Sequence, residues 1–370
     1  MIRVAFDVHT LGERATGNET YAQGLMRAFL DNPPEDMDFV FYHGRSMDKR
    51  EPGANYRLLR PRWPYLRIPV VTPWVLRRDR IDVAHFQYFA PPLCSCSTIL
   101  TIHDLSFERH PEFFQPGMAL RMRLLMPLQT RLASHIIAVS ETTRRDIIEL
   151  YGVAPERVSV VYNGVAEGFA DPLDPDLSLR TLARFGVDRP FFVCVGNLGT
   201  RKNQQGIVRA FARLLDQQDI EHDLVLVGQA TESARDIMAE IMGSKWKDRI
   251  RVTGFVGRDE LRALYAGATA SVYASLYEGF GLPILESMAC GTPVITSSVS
   301  CMPEIAGDAA LLVDPGDEEA IGAAFLRMIE DDNLRRRLSE AGRLRAGKFS
   351  WSEAARRTAR IYRQAASVVS

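Results

Sequence analysis

ASVYASLYEGFGLPILESMACGTPVIT, residues 270–296, holds a complete strand–loop–helix–strand unit. Ala270–Tyr273 is a short apolar run with the β-branched content of a buried strand, and Val294–Thr296 is another of the same kind. Between them Pro283 suits a first helical turn, and Gly291 is placed to end the helix. Two such strands joined through a helix make a βαβ unit, which builds a parallel sheet. The loop Glu278-Gly279-Phe280-Gly281-Leu282 puts glycines just before the helix, so backbone can approach a ligand closely and N–H groups gather at a helix N-terminus. That is a cradle for an anion or a polyol. Glu278 lies in the loop and Glu286 one turn into the helix, so two carboxylates eight residues apart can meet two parts of one ligand. The plainer alternative is a capping acid followed by a solvated helix face.

The same rhythm runs outward in both directions. Candidate strands in the first half are Ile2–Asp7, Phe39–Tyr42, Val83–Gln87, Thr98–Ile102, Ile136–Val139 and Val158–Tyr162. In the second half they are Phe191–Val195, Leu224–Val227, Ile250–Val252, Ala270–Tyr273, Val294–Thr296 and Leu311–Val313. One helix is bounded at both ends: Ser140 is an N-cap type, and Gly152 follows Tyr151 where a left-handed terminator belongs. A chain of 370 residues exceeds what one core usually serves. Residues 170–188, with Asp-Pro-Leu-Asp-Pro-Asp, read as the linker. The expected organisation is α/β with two Rossmann-like, doubly wound domains, 1–175 and 186–350, and a C-terminal helix 351–370 that crosses back onto the first.

Composition excludes several classes. A hydrophobic fraction of 46% and a charged fraction of 25% are ordinary globular values. The formal net charge of −1 gives no field to hold a polyanion, so nucleic acid is not expected as a partner. Five cysteines, Cys94, Cys96, Cys194, Cys290 and Cys301, sit mostly in apolar runs and read as thiols of a reducing compartment, the cytoplasm. Cys94-x-Cys96 has no second cluster to complete a zinc site. No apolar stretch reaches 18 residues, and the N-terminus lacks a secretory pattern.

Ligands of open parallel sheets bind beyond the carboxyl ends of the strands. After Phe191–Val195 come Gly196-Asn197 and then Arg201-Lys202-Asn203, whose two adjacent cations could neutralise a diphosphate or form a solvated face. After Thr98–Ile102 comes His103-Asp104: the imidazole could bond a sugar hydroxyl, its tautomer fixed by Asp104 or a backbone carbonyl, or it could be a structural loop histidine. The first βα turn carries Gly12 and Thr16-Gly17-Asn18 without a G-x-G-x-x-G fingerprint.

Taken together, Gly196-Asn197 with Arg201-Lys202-Asn203, the Glu278-x7-Glu286 element and Gly291-Thr-Pro-Val-Ile295 resemble the group 1 family, glycosyltransferase family 4, of retaining enzymes with the GT-B fold. The resemblance implies two domains facing across a cleft that holds the chemistry. It places the sugar nucleotide on the second domain: Arg201 and Lys202 on the diphosphate, Glu286 on the ribose, Phe255-Val256 on the base and Glu278 on the donor sugar. Gly196 and Asn197 belong to that donor site. Backbone N–H groups of Phe280, Gly281 and Leu282 would bind sugar or phosphate, His103 the sugar, and Gly17 would approach the phosphates. It also implies front-face retention assisted by the departing diphosphate, with no cofactor and no metal. In keeping with that, the Asp-x-Asp match Asp174-Pro175-Asp176 falls in the linker.

The first domain resembles bacterial mannosyltransferases of surface-polysaccharide assembly. The expected donor is GDP-mannose, with a UDP-hexose second, and the expected acceptor is a glycan or a lipid-linked saccharide. Between Arg57 and Arg80, seven arginines stand against the single acid Asp79 and interleave with Trp63, Tyr65 and Trp74. That composition suits either peripheral contact at the inner face of a membrane or a solvated, packed loop. The competing functions are a GT-B-like phosphorylase, a sugar-nucleotide epimerase and an inactive nucleotide-sugar or glycan-binding protein.

Overall fold

A computed structural model describes residues 1–12, 16–44, 51–61, 63–230 and 234–367. Arg62 of the arginine-rich segment and residues 368–370 of the tail lie outside the described residues. The chain divides into two compact units, Met1–Ala166 with Phe349–Ser370, and Glu167–Lys348.

The first unit is built on seven parallel strands: β1 Ile2–Asp7, β2 Met37–His43, β3 Tyr56–Leu58, β4 Val83–Gln87, β5 Ser97–Ile102, β6 His135–Ala138 and β7 Val158–Val160. Their order is β3-β2-β1-β4-β5-β6-β7. Alternate residues of one strand serve opposite faces, so Val4 and Phe6 pack with one core cluster while Ala5 packs with the other. The C-terminal helix Trp351–Ala366 belongs to this unit. Glycines make room for it: a Cβ on Gly24 would come within 2.2 Å of the Trp351 ring. Tyr362 then bonds the buried His85 at 2.6 Å.

The second unit has six parallel strands: β8 Phe191–Val195, β9 Asp223–Val227, β10 Ile250–Gly254, β11 Ala270–Tyr273, β12 Val294–Ser297 and β13 Ala310–Val313. They run in the order β10-β9-β8-β11-β12-β13. Chain direction across the sheet therefore reverses between β8 and β11, as it does between β1 and β4 in the first unit. Such a reversal opens a crevice at the strand ends, where ligands of doubly wound sheets bind.

Two local readings change. Residues 170–188 are not a bare linker but contain the helix Pro175–Arg184, because Asp174 caps it through the Asp176 N–H and Pro175 occupies the first turn. The motif that punctuates a loop also starts a helix. Strand β3 was not expected; it is three half-buried residues at a sheet edge, too short to show a period. By contrast, Ser140 accepts from the Thr143 N–H, and Gly152 ends the helix Glu141–Tyr151 at φ 62°, as the sequence indicated.

Candidate active site

In the second unit the cations Arg201 and Lys202 come from the short turn Thr200–Lys202 that follows β8, and Glu278 from the loop that follows β11. The two loops flank the strand-order reversal. Arg201 donates to Glu278 Oε2 at 2.6 Å and to the Tyr277 carbonyl at 3.2 Å. Lys202 lies 2.7 Å from Glu278 Oε1, donates to the Tyr273 hydroxyl, and has its ammonium 4.7 Å from the centroid of that ring. Burial alone would raise the Glu278 carboxyl, but Arg201 and Lys202 outweigh it and hold it at about 2. Burial also lowers Lys202 from its ordinary value, with Glu278 opposing. A carboxylate thus sits as the counter-charge to two cations, at 7% side-chain exposure for the acid.

The cations are rigidly placed. Asn203, left-handed at φ 56°, donates to the Ala274 and Pro315 carbonyls at 3.1 and 2.7 Å, tying the turn to the end of β11. Gln204 Nε2 donates to the carbonyls of Gly196 and Asn197 at 3.4 and 3.2 Å. Asn197 itself accepts from the Gln229 N–H at 3.3 Å. Gly196 has φ 144°, and a Cβ on neighbouring Gly228, at φ 147°, would lie 2.2 Å from the Gly196 carbonyl oxygen. Gly228 in turn donates to the Gly254 carbonyl at 3.0 Å. Three adjacent strand ends are thereby kept free of side chains, and Gly228 and Gly254 are members the sequence reading missed. Their signal was a glycine directly after an apolar strand.

Beyond Gly254, Phe255 is exposed and Val256 is buried. Gly281, at φ 92°, precedes the helix Leu282–Ala289, whose first turn holds Leu282 and Pro283; the Phe280 side chain is buried. Glu286 is half-buried and accepts from the Tyr265 hydroxyl at 3.3 Å. Burial raises its carboxyl to about 7, against the Tyr265 hydrogen bond and the charges of Arg258 and Lys202. A carboxyl with a raised folded value stabilises the fold while protonated. That contribution is complete below about 4.5 and lost as pH rises through about 7. Glu286→Gln should therefore remove a stability loss on the order of 2 kcal/mol between pH 5 and 8, read by urea unfolding at both pH values. Equal pH dependence in wild type and variant would contradict this.

In the first unit His103 follows β5 and is buried, with Nε2 2.8 Å from Gln87 Oε1. Asp104 does not hold the imidazole: its Oδ1 accepts from the Ser106 N–H and hydroxyl at 3.0 and 2.6 Å, starting the helix Ser106–Arg109. Burial pushes His103 down to about 4, so it is neutral at neutral pH. Gly17 sits in the first turn of the helix Thr16–Asp31 rather than in a loop, with no atom within 4 Å of where its Cβ would be. Gly12, at φ 80°, donates its N–H to Glu19 at 2.8 Å. Among the described residues, no three His, Cys, Asp or Glu side chains are grouped as a metal site.

The models of two families match, Glycosyltransferase Family 4 over residues 17–168 and Glycosyl transferases group 1 over residues 182–345. The O-antigen chain mannosyltransferase B of Escherichia coli is 31% identical over 310 residues, covering 83% of this chain and 79% of that one. The chain belongs to the group 1 glycosyltransferases. Solved structures agree in fold. Sucrose-phosphate synthase from Thermosynechococcus elongatus matches at TM-score 0.79 and 20% identity, over 98% of this chain and 99% of the other. Anabaena HepE in complex with UDP-glucose matches at TM-score 0.78 and 18% identity, over 98% and 100%. This glycosyltransferase is thus a GT-B protein with two parallel, doubly wound sheets. Among its described residues no helix is long and apolar enough to cross a membrane.

Proposed function

We propose that this glycosyltransferase moves a hexosyl unit from a nucleoside-diphosphate sugar to a glycan or lipid-linked acceptor in surface-polysaccharide assembly, with retention and without a metal. The convergence of Arg201 and Lys202 on Glu278 beside the strand-order reversal carries the reading. Two cations already held against one anion are pre-oriented for a diphosphate, whose charge grows as the glycosidic bond breaks, so stabilisation rises toward the transition state. Glu278 is bound by both cations and is a poor candidate for a nucleophile, which favours front-face departure over a covalent intermediate. GDP-mannose is the first donor to test, because a relative at 31% identity is named a mannosyltransferase, and UDP-glucose is the second.

The test supplies each donor with and without a lipid-linked oligosaccharide extract, with EDTA present. Nucleoside diphosphate released only when both substrates are present, with the donor's anomeric configuration in the product, supports transfer. Consumption of inorganic phosphate would indicate a phosphorylase, and turnover of donor alone an epimerase; either result rejects the reading.

The acceptor side has its own support. Asp79, the only acid between Arg57 and Arg80, is buried and accepts from Arg57 and Tyr42 at 3.0 Å each and from Arg78 at 3.3 Å. Trp63 and Trp74 are each 61% exposed. Arg121 reaches the Tyr65 hydroxyl at 3.3 Å from the helix Pro116–Leu132, which carries three arginines and no acid and exposes Met118, Leu120, Leu124, Leu128 and Leu132. An apolar face on a helix that carries arginines and no acid complements an anionic bilayer, although one of them, Arg123, pairs with Glu108 at 3.0 Å. Wild type should float with phosphatidylglycerol vesicles, and Leu124→Glu/Leu128→Glu should not. Equal flotation of the two, or none by wild type, would reject the contact.

A further inference from the structure

Gln87 ends β4 at the strand-order reversal of the first unit, paired in register with Thr101 of β5. Its side chain is buried, as is that of His103. The residue after it, Tyr88, is left-handed at φ 58°, and its hydroxyl accepts from the Asp104 N–H at 3.1 Å. Thr143 donates to the His103 carbonyl at 3.3 Å. Tyr21 meets the imidazole edge-on with centroids 4.8 Å apart. The ring packs against Tyr21, and its only side-chain hydrogen bond among the described residues is the 2.8 Å contact from Nε2 to Gln87 Oε1.

A carboxamide oxygen has no proton to give, so Nε2 must carry one. In a neutral imidazole the lone pair then belongs to Nδ1. We infer that Gln87 is a positioning residue that holds His103 as its Nε2–H tautomer, making Nδ1 a hydrogen-bond acceptor for a substrate hydroxyl. Gln87 Nε2 is buried with no partner among the described residues, so it is the oxygen, through His103, that holds the carboxamide in place. An acceptor at Nδ1 suits a sugar hydroxyl, which has a proton to give. It does not suit phosphate oxygens, which repel an acceptor. Gln87 thus sets what His103 can recognise.

The functional half of this rests on the proposed sugar-transfer reading; the tautomer does not. Two-bond proton–nitrogen spectra of the [15N]histidine-labelled chain, with the His103 signals identified by His103→Gln, read the tautomer directly. Nε2–H in wild type, redistribution in Gln87→Met and recovery in Gln87→Glu, whose carboxylate again accepts at Nε2, uphold the inference. Nδ1–H in wild type, or an unaltered tautomer in Gln87→Met, overturns it. Turnover in Gln87→Met should fall about tenfold, the loss of one oriented hydrogen bond. Wild-type turnover together with a redistributed tautomer would leave the inference standing and count against the sugar contact of His103.

Discussion

Lys202→Ala should lower kcat by roughly two orders of magnitude or more at saturating donor, while moving the melting temperature little. Removing one oriented donor from a site where negative charge develops costs about 10²- to 10³-fold. On the proposed reading Lys202 is such a donor; it is 17% exposed, lowered by burial, and held by Tyr273 and Glu278. Its loss does not strand Glu278, because Arg201 remains at 2.6 Å. The stability cost is therefore about 2 kcal/mol, that of one charge-assisted bond. Steady-state kinetics with a thermal melt separate the two effects. Wild-type turnover in the folded variant would reject the assignment, and joint loss of turnover and fold would make Lys202 structural.

Glu278→Ala should do the opposite, and lose stability first. It removes the counter-charge of two cations that are largely out of water, leaving Arg201 and Lys202 repelling one another. Removing one partner of a buried ion pair costs about 3 kcal/mol. If the cations are built for a diphosphate, inorganic pyrophosphate should supply the missing anion. The expected result is a lowered melting temperature in Glu278→Ala, with a larger upward shift on adding pyrophosphate than wild type shows. An equal or smaller shift would mean that the cations exist to hold Glu278 and not a ligand.

The sheet architecture was legible because buried parallel strands are apolar, β-branched and separated by helical lengths, as residues 270–296 show within one segment. Helix ends were legible wherever a cap residue acted locally, as Ser140 and Gly152 do. What failed was local chemistry with two uses: Asp174-Pro175 both breaks one element and begins another. Contacts set by sheet register also failed. Gln87 meets His103 because β4 and β5 are neighbours in register, a relation sixteen residues apart that no spacing rule exposes, and nearby Asp104 was the natural but wrong partner. Likewise Arg201, Lys202 and Glu278 each stood out in the sequence. Their union follows from β8 and β11 being neighbours, and the part of Tyr273 in it from its place at the end of β11.

The most direct test of a metal-independent, diphosphate-holding site is calorimetric titration of GDP and UDP into wild type and Lys202→Ala with excess EDTA. Saturable binding of one nucleotide in preference to the other, weakened in the variant, is predicted. Binding of neither by wild type, binding restored only by a divalent cation, or equal affinity in the two proteins would contradict the account.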